Sequence, residues 1–375
     1  MAKWLAILAL MLTAGAPPAQ SHSGILRLCP PTGIQTSGRG YPAGGIILTQ
    51  FDRTAIWVYN VDTGSRYPLP DTVPCGRGCR LSPDGRWLAY FNPRLNAYSR
   101  MRVDGTGREL LSTSAADVVW WSDGSLFIWT PAHNAILRRA DGTERPIDVR
   151  GVVSVQPNGL LGVRVRLSGG AFTREIVDLE TGMTVVALGA DRPYFNAHAW
   201  SPDGSRLAFV SPVVLNPNSG VIGGEIFLYT PRGIPQPVTN LSAAYGAVRI
   251  NGLSVGELSW SPDGSRIAFW VTEMLSADLE GGLGQAIIHI LDVNTGAVTA
   301  YCGYGTNEHT PNPPRLVWSP DGNYLAFGGI VPDDAESGYH LLALEVETGI
   351  FTSLSRGVAV VFGAPNVAAW GTTAR

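Results

Sequence analysis

A five-residue phrase returns four times along this chain of 375 residues. It reads Leu-Ser-Pro-Asp-Gly at 81–85 and Trp-Ser-Pro-Asp-Gly at 200–204, 260–264 and 318–322. Proline presets the φ angle of the first central turn residue, aspartate accepts backbone hydrogen bonds and glycine takes a positive φ. Each copy leads into a short apolar run, such as residues 207–210. The phrase therefore predicts the corner of a β-hairpin, and its return predicts a fold built from copies of one unit.

Weaker copies and a second motif complete the repeat. Residues 121–124 (Trp-Ser-Asp-Gly) lack the proline, and residues 156–159 (Gln-Pro-Asn-Gly) lack the serine and aspartate. A strand that enters a turn rich in Asp, Thr and Gly occurs seven times, at 56–64, 101–107, 136–142, 176–182, 226–233, 287–296 and 341–349. Four short strands repeated at roughly 35 to 60 residues are typical of a β-propeller blade.

The two ends of the repeat predict how the ring closes. The first unit has strands near 46–49 and 56–61 but no corner phrase before them, while residues 367–371 form an apolar strand after the last unit. We predict that this terminal strand is the innermost strand of blade 1. The predicted fold is all-β: a seven-bladed β-propeller of four-stranded blades, in one domain over 44–375 after an N-terminal extension over 22–43.

The first 21 residues have the character of a secretory signal peptide. Lys3 precedes an apolar run over 4–12, which is too short to cross a bilayer, and small residues follow it. We predict a signal peptide over 1–21 and a secreted or periplasmic protein without a stable membrane anchor. Lys3 is the single lysine of the chain, so its removal excludes Schiff-base chemistry. A net charge of −3 without a basic run argues against a nucleic-acid partner.

The four cysteines of an exported chain favour two disulfides, although four cysteines allow three pairings. The close spacing of Cys75 and Cys79 predicts a small local ring, which leaves Cys29 for Cys302. Zinc or free thiols are the alternative. A zinc site would need a second close pair or neighbouring histidines, and the sequence has neither.

The corner phrase followed by a Leu/Ile-Ala-Phe strand resembles the WD40-like, or PD40, repeat of TolB-like β-propellers. The resemblance covers nearly all of the chain after the signal, from about Ile46 to Gly371. It implies a propeller of six to eight blades, often periplasmic or secreted and frequently engaged in protein-protein contact.

The lengths of the loops between strands predict where binding takes place. In a propeller the corners emerge on one face, which we call the corner face. Turns joining the second and third strands of each blade, and connections between blades, emerge on the opposite long-loop face. The longest predicted loops there are 211–224, 240–256, 272–285, 302–314 and 330–339. Long loops on a rigid scaffold are the usual place for binding, and surface decoration is the alternative.

A small set of residues is predicted to meet at the channel mouth. His198 lies two residues before Trp200, and His309 lies between blades 6 and 7. We expect them to lie near Glu257 and Arg315, with Tyr194 close by, as a binding site. Neutral imidazoles there can bind a metal or move a proton, and buried structural histidines are the competing interpretation.

Aromatic residues in or beside the blade-joining loops would suit a sugar or peptide partner if their rings are exposed. They are Tyr194, Phe195, Tyr245, Tyr301, Tyr304 and Phe362.

Two further patterns are weaker. Ser254 lies in a Gly-x-Ser-x-Gly pattern that leads into a strand, whereas a nucleophile elbow needs a helix. The acidic loops around Asp278 and Asp334 lack the alternating ligands of known calcium motifs, so solvated loops are favoured.

These observations favour a non-enzymatic exported scaffold that binds another protein or a cell-envelope polymer through its long-loop face. We expect a monomer with no metal and no cofactor, and we assign no catalytic residue. The alternative is a propeller enzyme of polysaccharide lyase or hydrolase type with its site at the channel mouth. The family resemblance supplies a precedent, because some TolB-like propellers are lyases with a histidine-built metal site.

Overall fold

The computed structural model describes residues 24–37, 40–75, 79–130, 134–218, 220–252, 256–274, 283–306, 313–361, 364–365 and 367–372. Several predictions from the sequence fall outside these residues. They are the signal peptide over 1–21, Ser254, Asp278, His309 and Phe362.

Short strands account for almost all regular structure in the described chain. Two strands precede the ring, β1 (Leu26–Leu28) and β2 (Gln35–Thr36). Blades 1 to 4 follow as β3 (Ile46–Thr49), β4 (Trp57–Asn60), β5 (Arg66–Pro68); β6 (Arg80–Leu81), β7 (Trp87–Asn92), β8 (Ala97–Arg102), β9 (Glu109–Ser112); β10 (Asp117–Trp120), β11 (Leu126–Trp129), β12 (Asn134–Arg138), β13 (Glu144–Asp148); β14 (Val152–Val155), β15 (Leu161–Ser168), β16 (Ala171–Asp178) and β17 (Thr184–Ala190).

The second half of the chain adds a short helix, α1 (Leu241–Tyr245), and a 3-10 helix at Pro332–Ser337. Its strands are β18 (His198–Trp200), β19 (Leu207–Asn216), β20 (Val221–Tyr229), β21 (Gln236–Pro237); β22 (Val248–Ile250), β23 (Ser259–Trp260), β24 (Arg266–Met274), β25 (Leu283–Asp292), β26 (Val298–Thr306); β27 (Val317–Trp318), β28 (Tyr324–Ile330), β29 (Tyr339–Glu345), β30 (Phe351–Arg356); and β31 (Val360–Val361), β32 (Ala364–Pro365), β33 (Val367–Gly371).

The strands form seven antiparallel four-stranded blades in a ring, which confirms the predicted fold class. Blade 1 takes its innermost strand from the C-terminus, because β33 pairs with β3 and places Gly371 opposite Ile46. The predicted closure of the ring is therefore confirmed. In the part of the chain that is described, no helix has the length and apolar character needed to cross a membrane.

The corner phrase folds as its residue types predict. In the blade 5 copy, the Ser201 hydroxyl donates to Asp203 Oδ1 and accepts the Arg206 backbone N–H at 3.0 Å. Gly204 has a φ of 74°, and a Cβ there would lie 1.8 Å from the carbonyl oxygen of Pro157. Glycine is thus required both by its conformation and by the close approach of blade 4.

The same phrase joins neighbouring blades. Trp260 Nε1–H donates to the Ala199 carbonyl at 3.0 Å, so the corner tryptophan of blade 6 binds the inner strand of blade 5. In the other direction, the Arg206 guanidinium donates to the Gly264 carbonyl at 2.9 Å. Blade 7 repeats the first contact, from Trp318 to Ser259. The phrase is therefore a hairpin corner and a blade-to-blade contact at once.

Apolar packing also lies between blades. Each of the seven buried clusters in the described residues combines side chains from two neighbouring blades. Between blades 4 and 5, for example, Val163 and Ile176 pack with Phe209, and each is at most 2% exposed. Burying one such side chain contributes about 1.5–3 kcal/mol, so the ring is held mainly by its blade interfaces.

The N-terminal extension adds strands to the outer edges of two blades. β1 pairs in parallel with β26 in blade 6, and β2 pairs in parallel with β30 in blade 7. The disulfide Cys29–Cys302 ties this segment to blade 6, and Cys75–Cys79 closes a local ring. Both predicted disulfides are confirmed.

Several predicted loops are regular structure instead. Residues 211–224 belong largely to the β19–β20 hairpin, whose pairing runs out to Asn216 and Val221. The predicted loop over 240–256 contains α1 and β22, and the one over 330–339 contains the 3-10 helix. The prediction of loops was wrong here, because backbone pairing within the blade continues through proline and polar residues.

Candidate functional site at the channel mouth

The inner strands bring six polar residues to one end of the central channel. Each lies one to four residues before the start of a corner phrase, on the inner strand of a blade or in the connection that enters it. The inner strands line the channel of a propeller, so residues in this segment of the repeat gather around its mouth. They are Arg80, Asp117, Ser154, His198, Glu257 and Arg315.

An ion-pair network crosses the channel. Arg80 on blade 2 binds Asp117 of blade 3 at 3.1 Å and Glu257 of blade 6 at 3.2 Å. Arg315, which precedes blade 7, binds the other carboxylate oxygen of Glu257 at 3.3 Å. Blades 2 and 6 are not neighbours in the ring, so the Arg80–Glu257 pair bridges the open centre.

The electrostatics of the network follow from these pairs. Arg80, and to a lesser degree Arg315, lowers the pKa of Glu257 to about 2, against the opposing effect of burial. Glu257 is nevertheless 49% exposed, because its side chain faces the channel. Burial raises the pKa of Asp117, with Arg80 acting in the opposite direction. The pairing with two carboxylates raises the pKa of Arg80. Glu257 therefore stays ionised at any physiological pH.

Beside this network, His198 joins blades 4 and 5. Its Nδ1 lies 3.0 Å from the Asn196 carbonyl, which can only accept a hydrogen bond, so the geometry assigns the ring proton to Nδ1. Nε2 then accepts from the Ser154 hydroxyl at 3.1 Å. Burial lowers the pKa of His198, which keeps the imidazole neutral near pH 7.

Tyr194 does not form part of an exposed binding surface. Its side chain is 8% exposed, and the Arg249 guanidinium of blade 6 stacks on its ring at 3.9 Å. Arg174 of blade 4 also binds the chain that joins blades 4 and 5, because its guanidinium donates to the Phe195 carbonyl at 3.2 Å. Tyr194 therefore does not meet the condition of an exposed ring, because two buried arginines hold the chain between blades 4 and 5 inside the protein. The rings of Phe195, Tyr301 and Tyr304 are also buried.

The structure thus brings together part of the predicted site. Glu257 and Arg315 are in direct contact, and His198 lies at the same mouth. Sequence reasoning missed Arg80, Asp117 and Ser154. Their signal was present in the repeat, since each of them, like His198 and Glu257, lies among the few residues that precede a corner phrase.

In the acidic loop of blade 7, the carboxylate of Asp334 forms ion pairs with side chains of the same blade. Asp334 binds Arg356 at 2.7 Å and lies 3.6 Å from His340 Nε2. Over the described ranges, no group of three or more His, Cys, Asp or Glu side chains is arranged to hold a metal ion.

No protein-family model matches the sequence, and no curated protein matches it. Similar solved structures include hydrazine synthase of Kuenenia stuttgartiensis, at 16% identity over 72% of this chain and 76% of that chain with a TM-score of 0.41. TolB from Acinetobacter baumannii matches at 14% identity over 88% and 82%, with a TM-score of 0.43. A eukaryotic initiation factor matches at 11% identity over 84% and 85%, with a TM-score of 0.39. At these values the comparisons assign no family.

Proposed function

We propose that this protein is an exported propeller that binds a protein partner through its long-loop face. The observation that carries the proposal is a set of apolar side chains exposed on that face. Leu95, Leu167, Phe172 and Val214 are 57%, 65%, 57% and 60% exposed. All four lie at or beside the turn between the second and third strands of a blade, in blades 2, 4 and 5.

The blade 4 hairpin presents two of these side chains on a firm support. Leu167 on β15 lies opposite Phe172 on β16, and eight consecutive residue pairs join the two strands. Gly169 and Gly170, both with positive φ, close the hairpin in a tight turn. Large apolar groups on a rigid support form contacts with little loss of conformational entropy, which is typical of protein interfaces.

Two further features support the proposal, one of them for export and the other for binding. The chain holds two disulfides, and disulfides persist in oxidising compartments outside the cytoplasm. The channel network supports the binding role in a different way. It links blades 2, 3, 6 and 7 and so stiffens the ring beneath the long-loop face.

The proposal is tested by cross-linking in the producing cells, followed by mass spectrometry of the captured partner. Leu167→Ser with Phe172→Ser removes apolar surface from the long-loop face, and we expect partner capture to fall at least about tenfold. The matched control is Met183→Ser with Ile234→Ser, since these side chains are 69% and 73% exposed on the corner face. Equal capture by both variants and the native protein would overturn the proposal.

A further inference from the structure

Blade 4 departs from the repeat at Ser154. The pairing of β14 with β15 shifts register between Val152 and Ser154, and Val153 at this bulge is 52% exposed on the inner strand. A bulge re-aims the side chains around it, and such distortions are common next to functional sites. The inner strand of blade 4 therefore has an exposed side chain directly beside Ser154.

The repeat itself shows what the bulge has changed. In blades 6 and 7 the corner tryptophan donates to a carbonyl one residue before the preceding blade's corner phrase. For Trp200 the corresponding carbonyl belongs to Ser154, because Gln156 takes the place of the phrase serine in blade 4 and Val155 that of the corner tryptophan. Within the described residues, Trp200 Nε1 is buried without a hydrogen-bond partner. The backbone contact of the other blades is lost, and a side-chain contact between Ser154 and His198 joins blades 4 and 5 instead.

We propose that Ser154 is a nucleophile activated by His198, able to accept an acyl or phosphonyl group from a small activated ester that enters the channel. Three observations carry this. The hydroxyl donates to Nε2, the ring is oriented by the Asn196 carbonyl at Nδ1, and both side chains are partly exposed. A nucleophile bound to a base that a third group orients is the arrangement needed for covalent catalysis. This activity goes beyond the proposed binding function.

Ser154 Oγ attacks the electrophilic carbon or phosphorus and forms a new bond to oxygen. The Ser154 proton moves to His198 Nε2, and the bond from carbon or phosphorus to the leaving group breaks. The leaving group departs with the electron pair, and His198 returns the proton to the leaving group or to solvent.

The chain contains a matched control for this pair. His340 Nδ1 lies 2.7 Å from Ser353 Oγ, but these residues are only 2% and 6% exposed. Both pairs have a serine bound to an imidazole, and only the Ser154 pair reaches the channel. Reaction at Ser154 with none at Ser353 would show that access and orientation, and not the mere presence of histidine, determine reactivity.

The test treats the native protein with a small alkyl fluorophosphonate and maps the adduct by peptide mass spectrometry. We expect a single phosphonyl group on Ser154, none on Ser353, and no change when Ser353 is replaced by Ala. His198→Gln keeps a hydrogen-bonding side chain but removes the base, so the labelling rate should fall about 100-fold or more. In the native protein the rate should fall as acid protonates His198.

Mapping the adduct in the native protein needs no variant, so a variant that fails to fold leaves the result interpretable. An unmodified Ser154, under conditions where the probe labels a known serine hydrolase, would overturn the inference. So would equal labelling of the His198→Gln variant. Either outcome leaves the partner-binding proposal untouched, since that rests on other residues.

Discussion

Glu257 carries a negative charge into the channel mouth, and guanidinium groups from two different blades hold it there. An exposed ion pair contributes little to stability, about 0–1 kcal/mol. Glu257 differs because both of its oxygens are bound by arginine, and because its loss would leave Arg80 and Arg315 facing each other across the channel. The residue therefore stabilises the ring by preventing repulsion as well as by attraction.

Replacing Glu257 with Gln should lower the melting temperature at pH 7 and remove part of its pH dependence. The pKa of Glu257 falls from its ordinary value of 4.5 to about 2 on folding. The stabilisation is thus fully present above pH 4.5 and is lost as the pH falls through about 2. Melting curves from pH 7 to pH 2 should show the difference between the native protein and Glu257→Gln shrinking across that window.

Glu144→Gln is the matched control for this measurement. Glu144 binds Arg138 at 2.7 Å and has a similar exposure of 46%, but it has one partner and lies on the outer strand of blade 3. A loss of stability as large in the control as in Glu257→Gln would contradict the special role of the channel network.

The N-terminal strands β1 and β2 cover the outer sheet edges of blades 6 and 7. β26 has nine residues and β30 has six, and unpaired edges of that length invite pairing with other chains. β1 and β2 are very short, so their own backbone bonds are few. The disulfide to Cys302 keeps the segment in place where hydrogen bonding alone would not.

Replacing Cys29 and Cys302 with Ser should therefore expose β26. In the chain-entropy model, a cross-link over 273 residues contributes about 5.5 kcal/mol and one over 4 residues about 2 kcal/mol. Hydrogen exchange of the β26 amides should speed up in Cys29→Ser with Cys302→Ser, and the melting temperature should fall. Cys75→Ser with Cys79→Ser is the control, which should leave β26 protected.

The elements whose residues follow the repeat could be predicted from the sequence. Contacts that depend on residues from another part of the chain could not. The corner at 200–204 could be predicted because Ser, Asp and Gly each have a local bonding role. The pairing of β1 and β2 could not, since two or three residues carry no periodic pattern. Likewise the burial of Tyr194 depends on Arg249 from another blade, and the contact of Ser154 depends on a bulge that the repeat does not encode.

The stability of the propeller depends on the closure of its ring. Blade 1 lies between blades 7 and 2, and β33 supplies its inner strand. Trp370 on that strand is 2% exposed, packs near Tyr324 of blade 7 and donates from Nε1 to the Gly44 carbonyl at 3.0 Å. A single side chain thus joins the first and last blades.

Trp370→Ala should cost about 3–5 kcal/mol and open the ring at the junction of blades 7 and 1. Small-angle scattering should then give a larger radius of gyration, and the melting transition should broaden. Trp370→Phe keeps most of the packing and loses the hydrogen bond, at a cost of about 1 kcal/mol. An unchanged radius in Trp370→Ala would show that the ring stays shut without this side chain.

Ring closure by β33 also sets an order of events during synthesis. Blades 2 to 5 are each made from one uninterrupted stretch of chain, so their strands can pair, and neighbouring blades can pack, as soon as those stretches have been made. Blade 1 must wait for residues 367–371, and β1 and β2 must wait for β26 and β30. The beginning of the chain is therefore the last part to be completed. A chain cut short before residue 367 would leave the inner edge of β3 without its partner strand, so proteases should cleave it near β3 faster than the full-length chain.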